Sequence, residues 1–314
     1  MEHIDYIQDL IYRMSVTTDE HGQAVRSSGD SVGWKARKEA QQLKEEHWID
    51  IVDTVWTQTT HVDDRKHLFF IWSHLARHTQ GTRAVDKMLL YFQSIPPREQ
   101  MILLHTFTYV PFIPDATPFL SLSYAKKSSV RHHAIEILGR CDREVVGERL
   151  IELLSTSKSY LDIFYILLAI QKVNLYIAAP YLVPHLRSNK VDIRSLCIHM
   201  LSAFDGNHYL SIFEHHLAKD LSSSVKWNAM EAIAKHGTPS QVKLVLKRVK
   251  SIVSRPRATK QYPTSELMYG ISFLYRVASE DPAVVKWLQE LRTNKYDNLF
   301  EHEQQWLIEF LSEG

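Results

Sequence analysis

The stretch SSVRHHAIEILGR at 128–140 returns ninety-five residues later as SSVKWNAMEAIAK at 223–235, and this recurrence restricts the fold more than any other feature of the chain. Two further copies lie between them, SYLDIFYILLAI from 159 and VDIRSLCIHMLS from 191. In one register their first apolar anchors are Val130, Leu161, Ile193 and Val225, at spacings of 31, 32 and 32. Four residues on come Ala134, Tyr165, Cys197 and Ala229, and eight on come Leu138, Ala169, Leu201 and Ile233. An apolar stripe at i, i+4 and i+8 marks one amphipathic helix per period. A second apolar series runs through Leu89, Leu120, Ile151, Leu182, Phe213 and Val245, in steps of 31, 31, 31, 31 and 32. Two helices per period make a hairpin, and a hairpin that cannot bury its own faces must stack on its neighbours. The chain is therefore expected to be an all-α solenoid.

Composition supports this. With 45% hydrophobic and 23% charged residues in 314, the chain can bury a large core. Its 10 glycines and 11 prolines are too few for a strand-and-turn protein. A repeat array grows in one dimension, so 1–314 is expected to be a single elongated domain. It divides into N-terminal helices over 1–46, a repeat array over 47–253 and C-terminal helices over 254–314. HWIDIVDTVW and DRKHLFFIWSHLARH resemble a degenerate first hairpin, and WKARKEAQQLKEE a polar capping helix. Downstream, Trp287 and Trp306 are placed to close the core. Residues 15–33, nearly devoid of large apolar groups up to Trp34, read as a long loop or a disordered insert. No apolar run reaches the roughly 18 to 20 residues of a membrane span, and MEHIDYIQDLIYRM is too acidic for a signal peptide, so no membrane contact and a cytoplasmic location are expected. Cys141 and Cys197 have no CxxC partner and read as small core residues.

APYLVPHLRSNKVDIRSLCIHML, at 179–201, resembles a HEAT-like repeat of the short PBS-lyase type. It has a proline-containing first helix, a polar turn, and a second helix opening with an apolar-basic pair, seen also in Val130-Arg131 and Val225-Lys226 beside Ile193-Arg194. The resemblance holds over about 83–253. It implies a right-handed α-solenoid of about seven hairpins with irregular capping helices at both ends. It also implies that Arg131, Arg194 and Lys226 are structural, each meeting an acidic group of a neighbouring turn. One copy departs from the pattern, with Asp162 where the others carry a cation.

Chemistry is sparse. No GxSxG, P-loop or GxGxxG sequence occurs, and no cofactor is implied. His67, His74 and His78 share one helix side, but Leu75 stands where a zinc protease needs its glutamate, so these histidines read as structural and no metal site is expected. The adjacent pairs His132-His133 and His215-His216 point apart. Charge is nearly balanced at +1, yet residues 226–260 hold nine basic groups and one acidic. The core of this band is Lys243, Lys247, Arg248, Lys250, Arg255, Arg257 and Lys260. Such a band suits phosphate backbones or an acidic partner, or else a solvated helix meeting acidic neighbours.

Two functional readings follow. In the first, the protein is a non-enzymatic scaffold or regulator that binds a macromolecular partner, a protein before a nucleic acid, on the concave second-helix face. The helix LDIFYILLAI is apolar all round, so Phe164 and Leu167, with Ile163, would form an exposed apolar strip there unless the 15–33 loop covers it; Trp227 extends the same face. In the second, it is a DNA-binding protein of the HEAT-like alkylpurine DNA glycosylase type. The W-x-x-x-D pairing of those enzymes has no match, the nearest being Trp227 with Glu231 in WNAME, and the basic band would hold the phosphates. A glycosylase needs a groove carboxylate beside aromatics and an uninterrupted basic rim. A scaffold needs only the patch.

Overall fold

A computed structural model of the chain describes residues 2–79, 81–254 and 265–312. Among these every named element is an α-helix or a 3-10 helix, and the β content is one isolated antiparallel bridge between Thr18 and Ala24. The chain divides into two compact units, Met1–Leu175 and Tyr176–Gly314, and each is a stack of helical hairpins.

In the first unit the hairpins pair His47–Gln58 with Val62–His78, Arg83–Ser94 with Pro97–Leu103 and its 3-10 continuation Leu104–Tyr109, Thr117–Leu122 with Ser128–Leu138, and Arg143–Thr156 with Tyr160–Lys172. Their second helices pack in succession, Val62–His78 on Leu104–Tyr109, that stretch on Ser128–Leu138, and that helix on Tyr160–Lys172. The second hairpin tightens to 3-10 geometry because Thr106 and Thr108 return their hydroxyls to the carbonyls of Leu103 and His105, at 2.6 and 2.7 Å, and Pro111 follows. Fully buried aromatics fill the centre, with Phe107 lying 5.2 Å from Phe92 and 5.1 Å from Phe119, ring to ring.

The 15–33 segment is folded. Asp19 Oδ1 accepts the amides of His21 and Gln23 in an Asx-type turn, and Val32 N donates to Thr18 O at 2.9 Å. Gly33 comes so close to the chain that a Cβ would stand 2.5 Å from Val16 O, so only glycine fits. The segment is thus bound to the helices Glu2–Met14 and Val32–Ala40, and the latter is the capping helix expected over 34–46, shorter and shifted.

In the second unit, Pro180 and Pro184 break the first helix of the opening hairpin into Ala179–Leu182 and the 3-10 turn Val183–Arg187. Its partner is Val191–Asp205; then come Leu210–Lys219 with Ser223–His236 and Val242–Ile252 with Glu266–Ala278. Here too the second helices pack in succession, 191–205 on 223–236 and that on 266–278. Pro282–Asn294 and Glu301–Ser312 end the unit. Trp287 is buried among them, whereas Trp306 is half-buried and stacks on Phe310 at 4.7 Å. Both cysteines are buried, and burial pushes their thiols up to about 12.

The period survives with its register adjusted. The buried first-helix residues are Met88, Phe119, Leu150, Leu182, Phe213 and Val245, while Leu120 and Ile151, singled out from the sequence, lie one position off and are half-buried. Among the second-helix anchors Val130, Ile193 and Val225 are buried as expected, but Leu161 is 48% exposed. Asp162 takes its place.

Candidate functional site

Asp162 explains the slip. Arg131 Nε donates to both its carboxylate oxygens at 3.1 Å and Nη2 donates to Oδ1 at 3.0 Å, while His132 Nε2 lies 2.6 Å from Oδ1. Arg131 is itself held by the Ala125 carbonyl at 2.6 Å. In the second unit Arg194 makes the corresponding pair with Asp220, 2.9 Å from each oxygen, and donates to Ser188 O. Burial would raise the Asp220 carboxyl, but Arg194, the Ser222 amide and His216 outweigh it and hold it below the usual carboxylate range. Arg131 and Arg194 therefore do meet acidic groups of a neighbouring repeat, and Asp162 is the partner of the first.

Turning Asp162 inward rotates the Tyr160–Lys172 helix by one residue, about 100°. Ile166, Leu167 and Ile170 then enter the core, and Leu167, expected on the exposed strip, is fully buried. The solvent face carries Leu161, Phe164, Leu168 and Lys172 instead, a stripe at i, i+3, i+7 and i+11. Leu168 is 38% exposed, and Phe164 is half-buried. The preceding second helix is polar along the same face, with Arg131, His132, His133, Glu136 and Arg140.

Beside the stripe lies a cleft of about 680 Å³ lined by Glu136, Arg140, Phe164, Tyr165, Leu168 and Lys172, among others. Arg140 Nη1 donates to Val110 O at 2.8 Å, and Arg77 Nε to Tyr109 O at 2.6 Å, so one 3-10 terminus fixes two guanidinium groups. Arg140 Nε is buried without a hydrogen-bond partner, and its Nη2 stands 3.6 Å from Glu136, too far for a hydrogen bond. Burial first, and Arg140 next, push the Lys172 amine below its ordinary value; Glu136 works in the opposite sense.

In the second unit Trp227 and Glu231 each meet a residue that the sequence pairing did not reveal. Tyr269, on the next second helix, donates its hydroxyl to Glu231 Oε1 at 3.0 Å and sets its ring edge-on to Trp227 at 5.4 Å. The basic band divides. Arg248 is engaged by Glu266 through Nε at 2.6 Å and Nη2 at 2.8 Å. Lys243, Lys247 and Lys250 are exposed, on a first helix packed against Glu266–Ala278 and Leu210–Lys219, whereas Trp227, Glu231 and Tyr269 belong to second helices. Arg255 and Arg257, with Lys260, lie outside the described residues.

The three histidines of Val62–His78 do not converge, since His67 and His74 are buried and His78 is exposed. Burial, then neighbouring cations, pushes His67 and His74 down to about 4. Ser15, which no sequence signal picks out, places its hydroxyl 3.0 Å from His67 Nε2 and so ties the end of Glu2–Met14 to this helix.

No family model matches the chain, and no curated protein matches its sequence. Its similarity is to solved structures. A chain of the complex in which Kap95p binding induces the switch loops of RanGDP to adopt the GTP-bound conformation superimposes with a TM-score of 0.59 at 10% identity, covering 94% of this chain. The present chain spans 44% of that one. An engineered protein solved by the Northeast Structural Genomics Consortium aligns over 99% of this chain and 91% of its own at 15% identity, with a TM-score of 0.47 too low to carry weight. At such identity the likeness shows the fold alone, an all-α helical-repeat solenoid.

Proposed function

We propose that the protein is a non-enzymatic scaffold or regulator that seats a partner protein on the second-helix face of its first unit, the face expected from the sequence to be concave. The observation carrying this is the stripe Leu161, Phe164 and Leu168, apolar and accessible where the neighbouring second helix is polar. Exposed apolar side chains over two helical turns cost solubility unless a partner covers them. Helical-repeat solenoids present extended surfaces of this kind, and the similar chain comes from a complex between proteins. The test is a photo-crosslinking amino acid placed at Leu168 and, as control, at the fully exposed Leu221. Discrete adducts from position 168 alone support the reading; none from 168, or the same adducts from both, count against it.

A second reading is favoured by Trp227, Tyr269 and Glu231, a carboxylate held by one aromatic residue whose ring packs edge-on to a second, the residue types of a base-reading site. Against it stand the engaged Arg248 and the placement of Lys243, Lys247 and Lys250 on a first helix. Binding of a DNA duplex across a salt series, with and without an alkylated base, decides it. Salt-sensitive binding lost in Lys243→Glu, Lys247→Glu supports nucleic-acid recognition, and absence of binding at low salt removes it.

A further inference from the structure

We propose that the first-unit cleft takes an acidic, apolar-anchored segment of the partner, with apolar side chains packed on Leu161, Phe164 and Leu168 and carboxylates paired with Arg140, Lys172 and Arg77. This rests on the scaffold reading and adds the chemistry of what is bound.

Charge complementarity selects the occupant. Arg77, Arg140 and Lys172 act on one another across this face, and the carboxylate acting on Arg140 and Lys172 is Glu136, so three cations meet one anion. His133, edge-on to His105 at 5.0 Å, is pushed down by burial and adds no lasting charge at neutral pH. The guanidinium groups are preorganised by the carbonyls of Tyr109 and Val110, so binding an anion need not order them again. Arg140 is only loosely paired within the chain, because its Nη2 approaches Glu136 no closer than 3.6 Å. A carboxylate brought to this edge meets a planar fork suited to it.

The apolar half selects a peptide over a phosphate chain. Leu161 and Leu168 lie two helical turns apart, about 10 Å along the axis, which matches apolar side chains repeating at i and i+7 on a bound helix. A nucleic-acid backbone has no aliphatic group to bury there. A basic segment would meet the three cations and be repelled.

The test is fluorescence anisotropy with the full chain and four labelled probes. These are a sixteen-residue peptide with leucines at helical spacing among glutamates, the same peptide with lysines for glutamates, the acidic peptide with alanines for leucines, and a sixteen-nucleotide single-stranded DNA. The acidic leucine peptide is expected to bind best, at least tenfold more tightly than the others, and to lose at least tenfold on Lys172→Glu and separately on Leu168→Asp. Both positions are exposed, and circular dichroism confirms that the variants are folded. Equal or better binding of the lysine peptide or the DNA, or affinity unchanged by Lys172→Glu, overturns the proposal. If no peptide binds while the position-168 adducts persist, the partner chemistry is wrong and the scaffold reading survives; if both fail, both fall.

Discussion

The pair Arg131–Asp162 offers a double-mutant cycle whose outcome the geometry sets in advance. Their side chains keep only 21% and 12% of their exposure, and three hydrogen bonds join them. Removing one partner of a buried ion pair costs about 3–5 kcal/mol, because the other charge stays desolvated. The residual solvent contact here lowers this to about 2–3 kcal/mol. Arg131→Met leaves the carboxylate at a core anchor with His132 alone, and Asp162→Val strands a guanidinium that keeps only backbone carbonyls. The double variant strands neither charge, leaving only the His132 imidazole without its contact, and it restores at 162 the aliphatic character of Val130, Ile193 and Val225. Each single variant is therefore expected to lose about 2–3 kcal/mol and the double variant less than about 1 kcal/mol, a coupling of several kcal/mol. Urea unfolding followed by tryptophan fluorescence measures all four proteins, with each transition fitted separately because stacked repeats need not unfold as one. Losses that add to within about 0.5 kcal/mol would refute the inward position of Asp162.

Three further outcomes follow from the packing and the titrating groups. His67 and His74 titrate at about 4 in the folded chain against an ordinary 6.5, so below that value the unfolded chain binds protons the folded one does not. Their stabilisation is complete above pH 6.5 and is lost progressively as pH falls towards 4, by at most about 3 kcal/mol each, and His67→Gln with His74→Phe should flatten the stability profile measured between pH 7 and 4.5. Gly270→Ala, although within a helix, should destabilise by about 1–3 kcal/mol in the same urea assay, because its Cβ would stand 2.4 Å from Val249 Cγ1 and crowd Met230; a stabilised variant would contradict this packing. Leu167→Ala should cost about 2–5 kcal/mol of stability and Leu168→Ala under about 0.5, whereas only the second should weaken partner binding directly; the reverse ranking would restore the register read from the sequence.

Much of the architecture was legible because the period of 31 to 32 residues is carried by apolar positions that the hydrophobic effect drives inward. The hairpin order came from the same signal, whereas the partnership of Arg131 and Arg194 with acidic groups was implied by the resemblance to a HEAT-like repeat. The slip at 160–172 was hidden because YLDIFYILLAI is apolar on every side, so two registers one residue apart bury comparable surface. What decides between them is a polar contact between residues 31 positions apart, and no local pattern reports it. The pairing inside the basic band was hidden for a related reason. Counting charges along 226–260 could not reveal that Arg248 is neutralised by Glu266, beyond the end of the band. Trp227 and Glu231 were visible as a spaced pair, while Tyr269, 38 residues after Glu231, could be joined to them only by packing.

Hydrogen–deuterium exchange on the full chain, with and without the acidic leucine peptide, tests the central claim most directly. The account predicts added protection across 160–172 and around Glu136 and Arg140, with 242–252 unchanged. Protection confined to 223–252, or none in 160–172 at saturating peptide, would contradict it.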